Sequence, residues 1–166
     1  ERRDVGRNRG EAHGTAVGVV DDGGELVTLL FDLDRGVRMR AADALEKASA
    51  KAPDLLRDHE QRLLGCAEDA ADPELKWHLA RMLPRLVLEA RDRAAALDLL
   101  QDWLADPGVI VRVEALSAYA ALAGTDPALA EVLRTRLDEA LATGRPAEKA
   151  RARQLLRELA SGTGAS

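Results

Sequence analysis

One pattern of apolar residues recurs four times along the chain and constrains its fold more than any other feature. In each copy, apolar residues stand four, seven, eight and eleven positions after a first residue, here called the anchor. This is the spacing of one face of an α-helix with 3.6 residues per turn. The anchors are separated by 38, 36 and 37 residues, and they are Val37, Leu75, Val111 and the polar Glu148. A repeat of this length predicts an array of stacked helical units.

Turn-forming residues divide each unit into two helices, called A and B, and the repeated pattern lies on B. Asp34 is predicted to cap the first B helix, which runs to about Lys51, and Pro84 is predicted to kink or end the second. The other B helices are predicted at 109–123 and from Gly144 to about Ala160. The A helices are predicted at 25–32, from Pro53 to about 67, at 91–105 and at 128–142. Each Asp-Pro pair is predicted to place Asp at the cap and Pro at the first helical position, at residues 72–73, 106–107 and 126–127.

The pattern divides the chain into three segments. Residues 1–18 are predicted to be a flexible arm, with a frayed first helix at about 11–20 as the alternative. Residues 19–160 are predicted to be a repeat domain, and residues 161–166 a loose tail. Aromatic residues make up only 2% of the chain, so Ala and Leu must supply most of the core, which favours helix over sheet. Cys66 is the single cysteine, and beside Leu63 and Leu64 it is predicted to be buried and inert. A lone thiol and the lack of a long apolar run predict a cytoplasmic protein.

The sequence Asp-x-x-Val-Arg-x-x-Ala-x-x-Ala-Leu at 34–45 resembles the second helix of a HEAT repeat, and so does Val-Arg-Val-Glu-Ala-Leu-Ser-Ala-Tyr at 111–119. The likeness extends over roughly 23–160, is weaker at Leu75 and Lys76, and is poor at Glu148 and Lys149, as a capping repeat would be. Tetratricopeptide repeats have a shorter period and a Trp-containing signature that this chain lacks. The resemblance implies an all-α fold: a right-handed α-solenoid of about four antiparallel helix pairs.

HEAT-like arrays resemble one another as scaffolds that present a concave surface of B helices to a protein partner. The resemblance therefore implies a non-enzymatic scaffold or adaptor without a cofactor. The alternative is nucleic-acid binding or base excision, as in alkylpurine DNA glycosylases of HEAT-like fold; other relatives act as bilin lyase subunits. A glycosylase would need aromatic and basic side chains around a damaged base, and only Trp77 with Arg81 or Arg112 offers this. The net charge of −5 disfavours nucleic acid as a partner. A homodimer through the terminal repeats is a further hypothesis.

No catalytic constellation stands out in the sequence. His13, His59 and His78 have no Cys or carboxylate at metal-ligand spacing, so no metal site is predicted. A basic residue follows every anchor, and in arrays of this kind such residues often pair with the capping Asp of their own or an adjacent repeat. We therefore predict a structural basic ladder, whose members are Arg38, Lys76, Arg112 and Lys149.

Charge divides unequally between the two helix sets. The B segments, residues 34–51, 72–89, 106–124 and 144–160, carry 14 Lys and Arg against 10 Asp and Glu. The A segments, residues 19–33, 52–71, 90–105 and 125–143, carry 6 against 16. A mildly basic concave surface would favour an acidic protein partner, unless internal pairs occupy its arginines. The predicted partner-binding residues are Arg40, Trp77, Arg81, Arg85, Arg151 and Arg153. The alternative for Trp77 is packing between repeats, and Trp103 is predicted to be structural.

Overall fold

A computed structural model describes residues 22–124 and 126–161, and within them the chain is all-helical, without strands. The predicted arm at 1–18, the alternative frayed helix at about 11–20 and nearly all of the predicted tail therefore lie outside the described residues. The eight α-helices are α1 Asp22–Leu29, α2 Arg35–Lys51, α3 Glu60–Glu68, α4 Pro73–Met82, α5 Ala90–Trp103, α6 Val109–Ala123, α7 Pro127–Thr143 and α8 Pro146–Ala160. Two 3-10 turns lie at Pro53–Leu56 and Leu83–Arg85.

The B helices form the centre of the packing. α2 contacts α4, α4 contacts α6 and α6 contacts α8, while α1, α5 and α7 each pack against the B helix that follows in the chain. Small side chains let the B helices approach closely, because Ala42, Ala80, Ala115 and Ala152 are fully buried. Four copies of one helical pattern therefore lie side by side in chain order.

The repeated apolar pattern is most completely buried in the middle of the chain. All five positions of the second and third copies are buried, from Leu75 to Leu86 and from Val111 to Leu122. In the first copy Ala44 is exposed, and in the last copy Leu159 is 41% exposed. Among the described residues, the outer copies contact one neighbouring B helix instead of two, which leaves part of their apolar face unpacked by this part of the chain.

Helix starts follow the predicted capping chemistry in three places. The carboxylates of Asp34, Asp72 and Asp126 each accept hydrogen bonds from backbone N–H groups in the first turn of α2, α4 and α7. The prediction for 106–107 is wrong, because α6 begins at Val109 with Gly108 as its N-cap. There the Asp106 carboxylate accepts a hydrogen bond from the Gly108 N–H at 2.8 Å, and Asp106 lies two residues before this N-cap.

The second A helix is not continuous, which corrects the prediction of one helix from Pro53 to about 67. A 3-10 turn ends at Leu56, and α3 begins only at Glu60. Asp58 between them has a φ of 66°, a left-handed conformation that ends a right-handed helix and that Asp tolerates better than most residues. Pro84 acts as predicted, because α4 ends at Met82 and a 3-10 turn follows.

Candidate functional site

A network of charged side chains joins three consecutive B helices. Glu46 of α2 accepts a hydrogen bond from Arg85 at 2.9 Å and lies 3.7 Å from an Arg81 nitrogen of α4. Arg81 also donates to Glu114 of α6 at 3.1 Å, and this hydrogen bond is the main reason that the Arg81 pKa is raised. Glu46 is buried, so its two arginine partners provide the compensation that a buried carboxylate needs.

Arg85 lies inside this network. Besides the Glu46 carboxylate, it donates to the Glu46 carbonyl at 2.7 Å and to the Ser49 hydroxyl at 2.8 Å. Its side chain is only 22% exposed. Arg85 therefore holds α2 against the end of α4, which differs from the partner-binding role predicted for it.

Trp77 packs against the core, as the alternative interpretation of the sequence predicted, and part of its side chain stays accessible. It is half-buried and packs against the core, with the Arg81 guanidinium 5.3 Å from the centroid of its ring. This is a cation–π distance. The His78 ring stacks on it at 3.5 Å. The accessible part of the Trp77–Arg81 pair lies on the B helices, and Glu46 and Glu114 compensate the charge of Arg81. Trp103 is buried, in agreement with a structural role.

His78 is a buried neutral group whose ionisation is unfavourable. It is 2% exposed, and its Nδ1 has no hydrogen-bond partner in the part of the chain that the structure describes. Burial lowers the pKa of His78, although Asp43, Glu46 and Glu74 partly oppose this. Protonating His78 in the folded state therefore costs more than protonating it in the unfolded chain.

We expect the free energy of unfolding to fall as the pH drops below about 6.5, the ordinary pKa of histidine, because the unfolded chain then binds the proton more readily. The stability that neutral His78 provides is complete above this pH and decreases on acidification. Urea unfolding between about pH 5.5 and 7.5 measures the effect, with His78→Leu as the comparison. An equal pH dependence in wild type and H78L would contradict the assignment.

The four ladder residues are each engaged within the protein, though with different partners. Lys76 donates to the buried Asp106 carboxylate at 2.8 Å, joining α4 to the turn before α6. Arg38 donates to the carbonyls of residues 32 and 33 at 2.7 and 3.0 Å, and Arg112 donates to the carbonyls of residues 106 and 107 at 2.6 and 3.1 Å. Lys149 donates to the carbonyl of residue 142 at 3.4 Å. Asp72, a predicted ladder partner, is bound by Arg35 instead of Arg38.

The contacts of Arg112 also explain why the fourth anchor, Glu148, is polar. Its Nε and Nη2 donate to the two carboxylate oxygens of Glu148, each at 2.8 Å. These bonds lower the pKa of Glu148 and raise that of Arg112 against the opposing effect of burial. Burial also opposes the ionisation of Asp106, but Lys76 and the Gly108 N–H lower its pKa overall. The ladder positions thus bind the B helices to one another and to the turns before them.

Three predicted partner-binding arginines lie toward the ends of the B-helix array. Arg40 of α2 and Arg153 of α8 are exposed, and within the described residues their side chains form no hydrogen bond or ion pair. Arg151 is half-buried and lies 3.3 Å from the Gln154 amide oxygen. Internal pairs therefore occupy most of the basic side chains in the middle of the array and leave free cations at its two ends.

The sequence analysis missed three residues whose side chains join the helices that carry the charged network. They are Glu46, Arg35, which binds Asp72 and Glu74 across two units, and Arg93, which donates to the carbonyls of Leu122 and Ala123 at the end of α6. Of these three, only Glu46 could have been found from the sequence. It shares one face of α2 with Met39, Ala42 and Ser49, and this face is buried, so a charged residue on it requires a partner.

The described residues offer little reactive chemistry. Burial raises the pKa of the Cys66 thiol to about 11, so it stays protonated at neutral pH. Among residues 22–124 and 126–161, no cluster of His, Cys, Asp or Glu could hold a metal ion. No helix in these segments combines the length and apolar character that crossing a membrane requires. Comparisons with protein-family models, with curated proteins and with solved structures find no match.

Proposed function

We propose that this chain is a non-enzymatic HEAT-like scaffold that binds an acidic segment of a protein partner along the outer face of its B helices. The observation that carries the proposal is the contact of α2, α4, α6 and α8 in chain order. Four equivalent helices placed side by side form one extended surface, which a peptide or protein can follow over many residues.

The repeated geometry of the first and third units supports the HEAT-like part of the proposal. Arg38 and Arg112 stand at equivalent positions, and each donates to the carbonyls six and five residues earlier. Chain segments 74 residues apart therefore adopt the same turn and the same side-chain contact. A right-handed solenoid of four helix pairs is the arrangement that we propose for them.

The distribution of free charge supports an acidic partner. Arg40 and Arg153 have exposed guanidinium groups at opposite ends of the B-helix array, and the Trp77–Arg81 pair lies between them. The acids nearest this pair, Glu46 and Glu114, are already bound by Arg81. The unpaired cations Arg40 and Arg153 attract acidic groups from a distance, and the accessible part of the half-buried Trp77 ring supplies contact area.

Charge reversal at the two ends of the array tests the proposal. A fluorescein-labelled poly-Glu peptide should bind the wild-type chain with an affinity that decreases with salt, as measured by fluorescence anisotropy. We expect Arg40→Glu with Arg153→Glu to weaken this binding roughly tenfold, because each substitution replaces an attraction by a repulsion. Arg81 is left unchanged because its loss would disturb Glu46 and Glu114.

The matched control reverses two exposed arginines on A helices, Arg91→Glu with Arg134→Glu, which alters net charge equally. This control should keep wild-type affinity. An equal loss in both double variants, or no binding by the wild type, would contradict the proposal. Stronger binding to a labelled DNA duplex than to the acidic peptide would favour the nucleic-acid alternative.

A further inference from the structure

An open cleft of about 530 Å³ lies where the last two helix pairs meet. The C-terminal ends of α5 and α7 form one side, and the N-terminal parts of α6 and α8 form the other. Leu104, Leu116 and Ala140 supply apolar lining. The volume is in the range of clefts that hold small organic molecules.

Three guanidinium groups line this cleft, and two of them have unused hydrogen-bonding capacity. Arg136 donates from Nη1 to Glu139 at 2.9 Å, while its Nε is buried and has no acceptor among residues 22–124 and 126–161. The side chain of Arg145 forms no hydrogen bond or ion pair within the described part of the chain. Arg112, by contrast, is fully committed to Glu148 and to backbone carbonyls.

The charge balance of the lining favours a monoanion. Three arginines face two carboxylates, Glu139 and Glu148, so one positive charge remains uncompensated. The unpaired Nε of Arg136 also carries the cost of a buried donor without an acceptor, which a small movement of this long side chain toward a bound anion would relieve. A dianion would exceed the available charge and would lie near two carboxylates.

A second cleft of about 500 Å³, between the first two helix pairs, is built at equivalent positions. Five of its lining residues stand 73 positions before lining residues of the last cleft: Cys66, Ala70, Ala71, Asp72 and Leu75 correspond to Glu139, Thr143, Gly144, Arg145 and Glu148. In the first cleft the charged lining is Arg38 with Asp69 and Asp72. The same architecture thus exists with the opposite charge, so the packing of the repeats does not itself require a cationic cleft.

We propose that the last cleft is a binding site for a small organic monocarboxylate, held by Arg136 and Arg145 with its apolar part against Leu104 and Leu116. A carboxylate matches the planar guanidinium group with two oxygens, and it carries the single charge that the lining leaves uncompensated. This site is separate from the proposed partner surface, so either one can fail without the other.

NMR titration of the ¹⁵N-labelled chain tests the site with hexanoate, acetate and inorganic phosphate as probes. We expect hexanoate to shift the Arg136 Nε–H and Gly144 amide resonances in a saturable way, and to bind more tightly than acetate because its chain contacts the apolar lining. Arg136→Gln should weaken hexanoate binding about tenfold, which is the loss of one charge-assisted hydrogen-bonded contact. Arg134→Gln, an exposed change on the same helix with the same loss of charge, should leave it unaltered.

Arg145→Gln provides a second variant at an exposed position, and it should weaken binding even if R136Q disturbs α7. Absence of saturable shifts with millimolar hexanoate, equal affinity in wild type and R145Q, or phosphate binding as strong as hexanoate binding would each overturn the proposal.

Discussion

Leu83→Ala is expected to lower the free energy of unfolding by about 2–5 kcal/mol, because the substitution leaves a cavity where the surrounding structure can relax only partly. Leu83 is 1% exposed and belongs to the second copy of the repeated pattern, in which all five positions are buried. It lies at the end of α4, where α6 also contacts the 3-10 turn. Urea unfolding followed by far-ultraviolet circular dichroism measures the change.

Leu33→Ala provides the matched control, since it removes the same atoms at a position that is 99% exposed. Its effect should stay within about 0.5 kcal/mol, as is usual for a surface substitution. A loss well below 1 kcal/mol for L83A, or similar losses for both variants, would show that the packing around α4 differs from the one described.

Arg112→Met is expected to lower the free energy of unfolding by about 3 kcal/mol at neutral pH, because it leaves the buried Glu148 carboxylate without its bidentate partner. Glu148 is 9% exposed, and without Arg112 its remaining partner among the described residues is Arg145. The Arg145 backbone N–H donates to Glu148 at 3.0 Å, and its guanidinium charge attracts the carboxylate. The variant also loses the contacts of Arg112 to the turn before α6. Chemical unfolding at several pH values measures both effects.

The pH dependence has a definite sign. Arg112 lowers the pKa of Glu148 in the wild type, so the pair contributes its full stability above the unfolded-state pKa of about 4.3 and loses it as the pH falls through the lower folded value. In R112M the largest effect that lowers the pKa of Glu148 is lost, so burial raises this pKa above its value in the wild type. The difference in stability between the two proteins should therefore narrow as the pH falls toward about 4.

Glu148→Leu removes the other member of the ion pair. The first repeat junction already contains a leucine at the equivalent position, so the effect of this change can be predicted. Leu75 stands at the equivalent position, and Arg38 beside it is held by two backbone carbonyls alone. E148L should therefore cost only about 1 kcal/mol, mainly through the lost bond at the start of α8. A loss as large as that of R112M would mean that the first and last junctions are not equivalent.

Much of the helical structure was predictable because it follows from local spacing. The first B helix was predicted to end at about Lys51, the third to span 109–123 and the last to end at about Ala160, and all three agree with the structure. Periodic apolar residues, a capping Asp and a helix-ending Pro affect only residues a few positions away, so their effects on helix formation can be predicted from the sequence. Asp58 was missed because its left-handed conformation has no unambiguous signature, and Asp also occurs inside helices.

The sequence could not predict which arginines of the B helices are unpaired. The surplus of basic residues on the B segments is a property of the sequence, but which arginines remain free depends on contacts between residues 30 to 40 positions apart. Arg85 and Arg40 look alike in the sequence, yet Arg85 is bound to Glu46 and Arg40 is exposed without a partner among the described residues.

The sequence alone determined that the chain is a series of amphipathic helices with one repeated pattern, since helix periodicity and capping are local. Only the tertiary structure showed why a polar Glu148 stands at an anchor position, since Arg112 binds its carboxylate there. It also decided that Asp72 pairs with Arg35 and that the two equivalent clefts carry opposite charge. The physical reason is that an ion pair depends on the distance between two charged groups after the helices have packed. Many pairings are compatible with one sequence pattern, and packing selects among them.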